Sequence, residues 1–387
     1  MSGILPTLSP EWSLLTAACS AIPNAEKLPA LQPMLQQPIG WQQLFALAER
    51  HGVQPLLYQA LLPHANAVPL AEMRALQLAY QANLHKAMRL AGELIRLDQR
   101  LSALGLEAMP YKGLAAAEIL YGDIALRHSG DIDLLIHRED LPRIRDAVRE
   151  LEYTPHITLS AAEEREYLQS GYEYSFDSTA GPNLLEVQWA IQPRFYAIDF
   201  DMDSLFQRAV TINVAGRPVK TPSNSDLLLL FSVHAAKHVW GKLIWLCDIA
   251  RLMTLPSLDW RWIGSQACDL GIVRILRVTM LLANRLLGAP IPDAAEGSLP
   301  IDRTSAELAN EIQSYIVSET TFNIESLSYF HLMMRLRERQ ADRRRFLRRL
   351  ILTPGPSEWR TVHLPRPLFP LYRLIRLSRL AARLVSG

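Results

Sequence analysis

The sequence predicts an α+β fold: a small mixed-sheet core flanked by helical regions on both sides. Three observations predict it. Residues 1–105 and 223–387 place apolar residues at helical intervals. Residues 106–222 switch to short apolar runs separated by turn residues. Two carboxylates stand at the mouth of the most apolar of those runs, Asp131-Ile132-Asp133-Leu134-Leu135-Ile136. The chain thus divides into an N-terminal helical region (1–105), an α/β core (106–222) and a C-terminal helical region (223–387).

In the first region, Leu44, Phe45, Leu47 and Ala48 predict a helix over 41–50, and a Pro-free stretch rich in Ala, Leu, Arg and Gln predicts a long one over 71–104. Gly105 is its stop. In the core, 107–111 reads as a short strand, 114–120 as a helix ending near Tyr121-Gly122-Asp123, 131–136 as a buried strand and 139–151 as an amphipathic helix. Residues 172–177 alternate polar and aromatic side chains as a half-exposed strand does. A turn by composition over 178–183 leads to another strand over 184–191. In the last region Ser223 or Ser225 caps a helix running through 227–239, with Gly241 a kink or break before 242–252. Further helices are predicted over 273–287, 305–317 and 324–350. A proline-rich wrap follows over 354–370, then an amphipathic Leu/Arg helix over 371–384.

Composition narrows the class. Hydrophobic residues make up 49% and charged residues 20%, with a net charge of +1, so the chain is globular and shows no overall bias toward nucleic acid or membrane. The three cysteines are far apart, have no metal spacing and read as thiols in a reducing cytoplasm. The N-terminus lacks the marks of a signal peptide. No apolar run approaches a membrane span.

Asp131 and Asp133, two apart on a strand, point to the same side. Side by side they repel unless a cation sits between them, and carboxylate-held Mg²⁺ serves phosphoryl and nucleotidyl transfer. Gly113 at a helix start suits a phosphate, because backbone N–H groups approach its oxygens without bulk. Lys112 beside it offers a point charge, or is a surface lysine next to a turn. Glu186 is a lone acid in an apolar strand. It needs a metal or a cation such as Arg127 or Arg194. Arg127 pairs with the acids or touches phosphate. Alone, an Asp-x-Asp also fits a turn and a helix cap; the company of Lys112-Gly113 and Glu186 favours chemistry.

Lys112-Gly113, Tyr121, Arg127, Asp131-Ile132-Asp133 and Glu186-Val187-Gln188-Trp189 together resemble the polymerase-β-type nucleotidyltransferase superfamily. More narrowly, the chain is similar to the bacterial "nucleotidyltransferase family protein" group, some members of which accompany lasso-peptide and other biosynthetic clusters. The likeness continues through His234-Ala235-Ala236-Lys237-His238 and Asp248, and covers most of residues 40–380. The resemblance implies that Asp131, Asp133 and Glu186 are metal-binding catalytic acids, with Mg²⁺ or Mn²⁺ as cofactor and an NTP as substrate. The acceptor it implies is a small molecule, peptide or RNA. Lys112, Gly113 and Arg127 would meet the nucleotide, and His234, Lys237 and His238 would line the nucleotide or acceptor pocket. Two departures stand out. The first turn lacks the superfamily's serine, and Gln188 stands where the narrower family often has histidine, so that position cannot act as a base.

Other classes compete: a degenerate nucleotide- or partner-binding protein, a toxin-like tRNA-modifying transferase, and a kinase-like phosphotransferase. His234 and His238, at i and i+4, have two-histidine metal spacing but no intervening Glu, so lining a cleft is the favoured reading. The arginines over 335–349 suit an anionic partner, though Glu338 and Asp342 make an ion-paired, solvated face the default.

Overall fold

The computed structural model describes residues 8–22, 24–179, 181, 184–323, 326–353, 364 and 366–378. Helices α1 (Pro10–Cys19), α2 (Asn24–Leu35), α3 (Trp41–Arg50), α4 (Gln54–Leu61) and the 34-residue α5 (Leu70–Ala103) precede the sheet. The chain leaves α5 through Gly105, whose φ of +65° is left-handed and favours glycine. The core then runs β1 (Ala108–Pro110), α6 (Gly113–Tyr121), β2 (Ile132–Ile136), α7 (Leu141–Glu150), β3 (Tyr153–Pro155), α8 (Ala161–Ser170), β4 (Glu173–Ser178), β5 (Leu184–Gln188) and α9 (Met202–Gln207). A hairpin of β6 (Val210–Val214) and β7 (Arg217–Thr221) closes it. Helices α10 (Asn224–Lys237), α11 (Leu243–Met253), α12 (Trp260–Leu270), α13 (Val273–Leu287), α14 (Asp293–Ser298), α15 (Arg303–Val317), α16 (Leu327–Arg335) and α17 (Gln340–Leu352) follow.

The α+β class is as predicted. The sheet is mixed, in the order β1-β2-β5-β4-β3. Its β2–β5 pair is parallel, and its β1–β2, β5–β4 and β4–β3 pairs are antiparallel. Every residue of β2 is buried, as its unbroken apolar run requires. The second half of α5 packs with α7 on the sheet through Leu90, Leu94, Leu97, Ile144 and Val148. A larger apolar cluster joins the N-terminal helices to the C-terminal ones, with Leu14, Leu57, Leu246 and Leu282 at its centre. Ser223 caps α10 by accepting from the Asp226 amide, as expected.

Two predictions change, and one hairpin was not foreseen. The strand expected over 184–191 ends at Gln188. The single helix expected over 324–350 is two, and residues 336–339 break it. Arg337 is buried at the break, donating to the carbonyls of Met333 and Tyr196 and stacking 3.9 Å over the Phe346 ring. A straight helix offers no such carbonyl outside its own ladder. The β6–β7 hairpin has no forecast in the sequence because Ala215 occupies a position with φ +49° ahead of Gly216 at +82°, and Ala-Gly is not among the usual pairs for that turn. The wrap over 354–370 lies mostly outside the described residues, apart from a 3₁₀ turn at Arg366–Leu371. The last helix is described over 372–378 only. Among the described residues no helix is long and apolar enough to cross a membrane.

Candidate active site

The link from β1 to α6 places Lys112 at the N-cap of α6, where no side chain caps the helix. Gly113 has φ +50°, and a Cβ there would lie 3.4 Å from the Asp131 carbonyl and 3.6 Å from Ser129 Oγ. Glycine keeps this turn tight against the segment that carries Asp131. Ser129 Oγ is buried and has no hydrogen-bond partner. It stands beside the turn that lacks the expected serine.

Sheet register supplies the acids. Parallel pairing sets Asp133 of β2 opposite Glu186 of β5. Antiparallel pairing then sets Gln188 of β5 opposite Glu173 of β4. Alternation puts residues two apart on one face, so Asp131, Asp133, Glu186, Gln188 and Glu173 converge on one cavity. Lys112 Nζ donates to Asp133 Oδ1 at 2.8 Å. Gln188 is buried, and its Oε1 accepts from the Tyr111 hydroxyl at 2.7 Å. Its Nε2 donates to Asp133 Oδ1 (3.1 Å), Glu186 Oε2 (3.0 Å) and, more weakly, Glu173 Oε2 (3.5 Å). A histidine lacks this double-ended amide, which here ties three acids to one tyrosine.

The acids are crowded. Burial, then Asp133, pushes Asp131 up to about 6. Burial, then Glu173 and Asp133, pushes Glu186 up to about 8. Burial also raises Glu173, against the pull of Lys237. Burial disfavours the Lys112 ammonium, but Asp133 and then Tyr111 outweigh it and hold Lys112 well above its usual value.

The opposite wall comes from α10 and α11. His234, His238 and Trp245 form a ring cluster with centroids 5.0–5.2 Å apart. Burial and then nearby lysines depress both imidazoles, His234 well below its usual value and His238 to about 3, so both are neutral near pH 7. Lys237 Nζ donates to the Tyr172 hydroxyl at 3.1 Å and lies 4.6 Å over its ring. Arg127 faces the cavity, but its guanidinium belongs to Asp248. Nε reaches the carboxylate at 3.0 and 3.2 Å and Nη2 at 2.9 Å, and the Tyr121 hydroxyl donates to the same group at 2.9 Å. Of the partners foreseen for Arg127, the motif acids are not the ones that pair with it; Asp248 does.

All nine predicted site residues line this cavity of about 410 Å³: Lys112, Gly113, Arg127, Asp131, Asp133, Glu186, His234, Lys237 and His238. Sequence reasoning missed Glu173, Tyr172, Ser129, Trp245 and Lys242, which line it too. The alternation of Tyr172-Glu173-Tyr174 marks Glu173 as a strand residue, but only the β4–β5 register brings it to the acids.

The donor set fits a hard divalent cation. Carboxylate oxygens are its usual ligands, and Asp131, Asp133, Glu173 and Glu186 share the cavity. Among the described residues no hydrogen bond reaches Asp133 Oδ2. No group of three His, Cys, Asp or Glu side chains stands placed to hold a metal among the described residues; Lys112 takes that place on Asp133 Oδ1.

The sequence model of a family described as "uncharacterised nucleotidyltransferase" matches residues 37–288, more than half of the chain. The crystal structure of an antigenic nucleotidyltransferase-like protein from Paracoccidioides brasiliensis superposes with a TM-score of 0.32 at 18% identity, over 53% of this chain and 95% of that one. No curated protein matches the chain.

Proposed function

The chain belongs to the family described as uncharacterised nucleotidyltransferase, a transferase on that ground, and from this premise we propose that it moves a nucleoside monophosphate from an NTP to an acceptor with release of pyrophosphate. The observation that carries the reading is the convergence of Asp131, Asp133, Glu186 and Glu173 on a cavity that also holds the uncapped start of α6 at Gly113.

Asp131, Asp133 and Glu186 would hold Mg²⁺ or Mn²⁺. When bound, the cation supplies charge to the departing pyrophosphate and aligns the attacking oxygen. The remaining work is the chain's own. Gly113 lets backbone amides at the start of α6 approach the β- and γ-phosphates, with the Ser129 hydroxyl as a further donor. Lys112 leaves Asp133 for phosphate oxygens when the nucleotide enters. Arg127, held by Asp248, presents a fixed positive face to the cavity. His234, His238 and Trp245 offer a neutral aromatic wall for the base, and Lys237 closes the polar side. Glu186, on the acceptor side of the cation, would also assist removal of the acceptor's proton. Positioning and electrostatic stabilisation supply most of the acceleration.

Parallel incubations with α-³²P- and γ-³²P-labelled NTPs, Mg²⁺ and cell extract test this. Label passing to an acceptor from the α position, and lost at least ~10³-fold in Asp133→Asn, is the expected result; removal of one preorganised electrostatic group costs that order. Transfer from the γ position instead identifies a kinase. The Lys112–Asp133 pair and the Gln188 bridge favour one second reading, a nucleotide-binding protein without turnover. Saturable NTP binding with no α-label transfer identifies it.

A further inference from the structure

A second cavity, of about 330 Å³, adjoins the first, and Ile191 lines both. The strand end that carries Gln188 into the first cavity carries Trp189 and Gln192 into the second. Trp189 is 1% exposed, and its indole N–H has no hydrogen-bond partner. Gln192 is 4% exposed, and its Oε1 has none. A buried donor and a buried acceptor without partners, lining one cavity, are the polar groups of a binding site. Trp189 packs against Tyr167 in a T-shaped contact and against Tyr174 in a tilted one, so the ring is held by packing while its N–H has no partner.

The charges lining this cavity favour an anion. Arg138 and Arg194 make no ion pair among the described residues, and Arg194 Nη1 reaches only the Gln169 carbonyl at 3.2 Å. Arg349 is neutralised by Asp199 at 2.7 Å. Two uncommitted guanidiniums suit the planar or tetrahedral oxygens of a carboxylate or phosphate. The indole N–H adds a donor, and Gln192 Oε1 requires a donor from the ligand. The volume lies at the small end of ligand sites.

We propose that this second cavity binds a small organic anion carrying a hydroxyl or amine, and that this anion is the acceptor's anchoring end. Its role as acceptor rests on the nucleotidyl-transfer reading; its binding does not. The anion's carboxylate or phosphate sits between Arg138, Arg194 and the Trp189 N–H. Its hydroxyl or amine donates to Gln192, and the body extends past Ile191 toward the acids.

Calorimetric titration of the full chain without nucleotide, using malate and glycerol 3-phosphate as separate probes, tests this. At least one binds at one per chain, and malate alone marks a carboxylate site, glycerol 3-phosphate alone a phosphate site. Affinity falls at least tenfold in the Arg138→Ala/Arg194→Ala double variant, whose side chains are exposed and whose fold should survive, and in Gln192→Leu. Binding of neither probe, or binding unweakened in the arginine double variant, overturns the proposal. A chain that binds the probe yet transfers no α-label retains the anion site and loses the acceptor role, so the two readings fail separately.

Discussion

Lys112–Asp133, half-buried on its lysine side, and Arg127–Asp248, buried on both sides, are ion pairs of similar length, 2.8 and 2.9 Å, and they border the same cavity. Asp248 has both oxygens engaged by Arg127, takes a further bond from Tyr121, and lies behind the cavity wall. Asp133 shares one oxygen between Lys112 and Gln188 and stands among three other raised or crowded acids. The first arrangement is complete, and it ties α11 to the core across 121 residues of chain. The second leaves one Asp133 oxygen without a donor among the described residues. Closeness alone therefore does not separate a structural ion pair from a functional one; the number of oxygens left without a donor does.

Breaking the complete pair should cost most. Asp248→Asn leaves Arg127 buried and uncompensated, and should lose about 3–5 kcal/mol in urea unfolding; Mg²⁺ should not restore it. A loss near zero would mean that Arg127 finds another partner and that the pair is not what fixes α11.

Lys112→Met attacks the incomplete pair. Gln188 still donates to Asp133, so the metal-free loss should be smaller, about 1–3 kcal/mol. Millimolar Mg²⁺ should recover it, because a cation can take the place that Lys112 vacates. If Mg²⁺ leaves the variant's melting unchanged, the acids do not hold a cation.

Smallest is the effect of Glu186→Gln in metal-free protein. Glu186 has an ordinary value of 4.5 and a folded value of about 8. Its contribution is therefore full below 4.5 and is lost as pH rises through 8. At pH 8 the variant should melt roughly 2–4 °C above the parent. His51 and His238 have the opposite sign: depressed to about 4 and 3 from 6.5, they contribute fully above 6.5 and lose that as pH falls through those values. Melting against pH should thus decline on both sides of a maximum near about 6. Mg²⁺ should flatten only the alkaline side. A variant that melts lower at pH 8 would show that Glu186 is stabilised as a carboxylate, against the crowding described for the acids.

Much of the site was legible in the chain. Gly113, Lys112, Asp131 and Asp133 fall within a short stretch whose strand, turn and helix are local, and Glu186 is conspicuous as an acid in an apolar strand. Glu173 was not legible, since it becomes a site residue only through its pairing with Gln188. Asp248 was visible as an acid on a helix, but nothing local ties it to Arg127. The break at 336–339 escaped for a similar reason. Arg337 is satisfied by the Tyr196 carbonyl, far away in sequence.

By itself, then, the sequence determined the long helices, the strands β1, β2, β4 and β5 and the side-by-side acids Asp131 and Asp133, because periodicity of 3.6 or 2 is a property of neighbours along the chain. Tertiary structure alone decided how four acids, three lysines and one glutamine share a cavity. Sheet register and ion pairing join residues from 15 to 121 positions apart, and such pairings are chosen by the burial of whole faces, which no local stretch encodes.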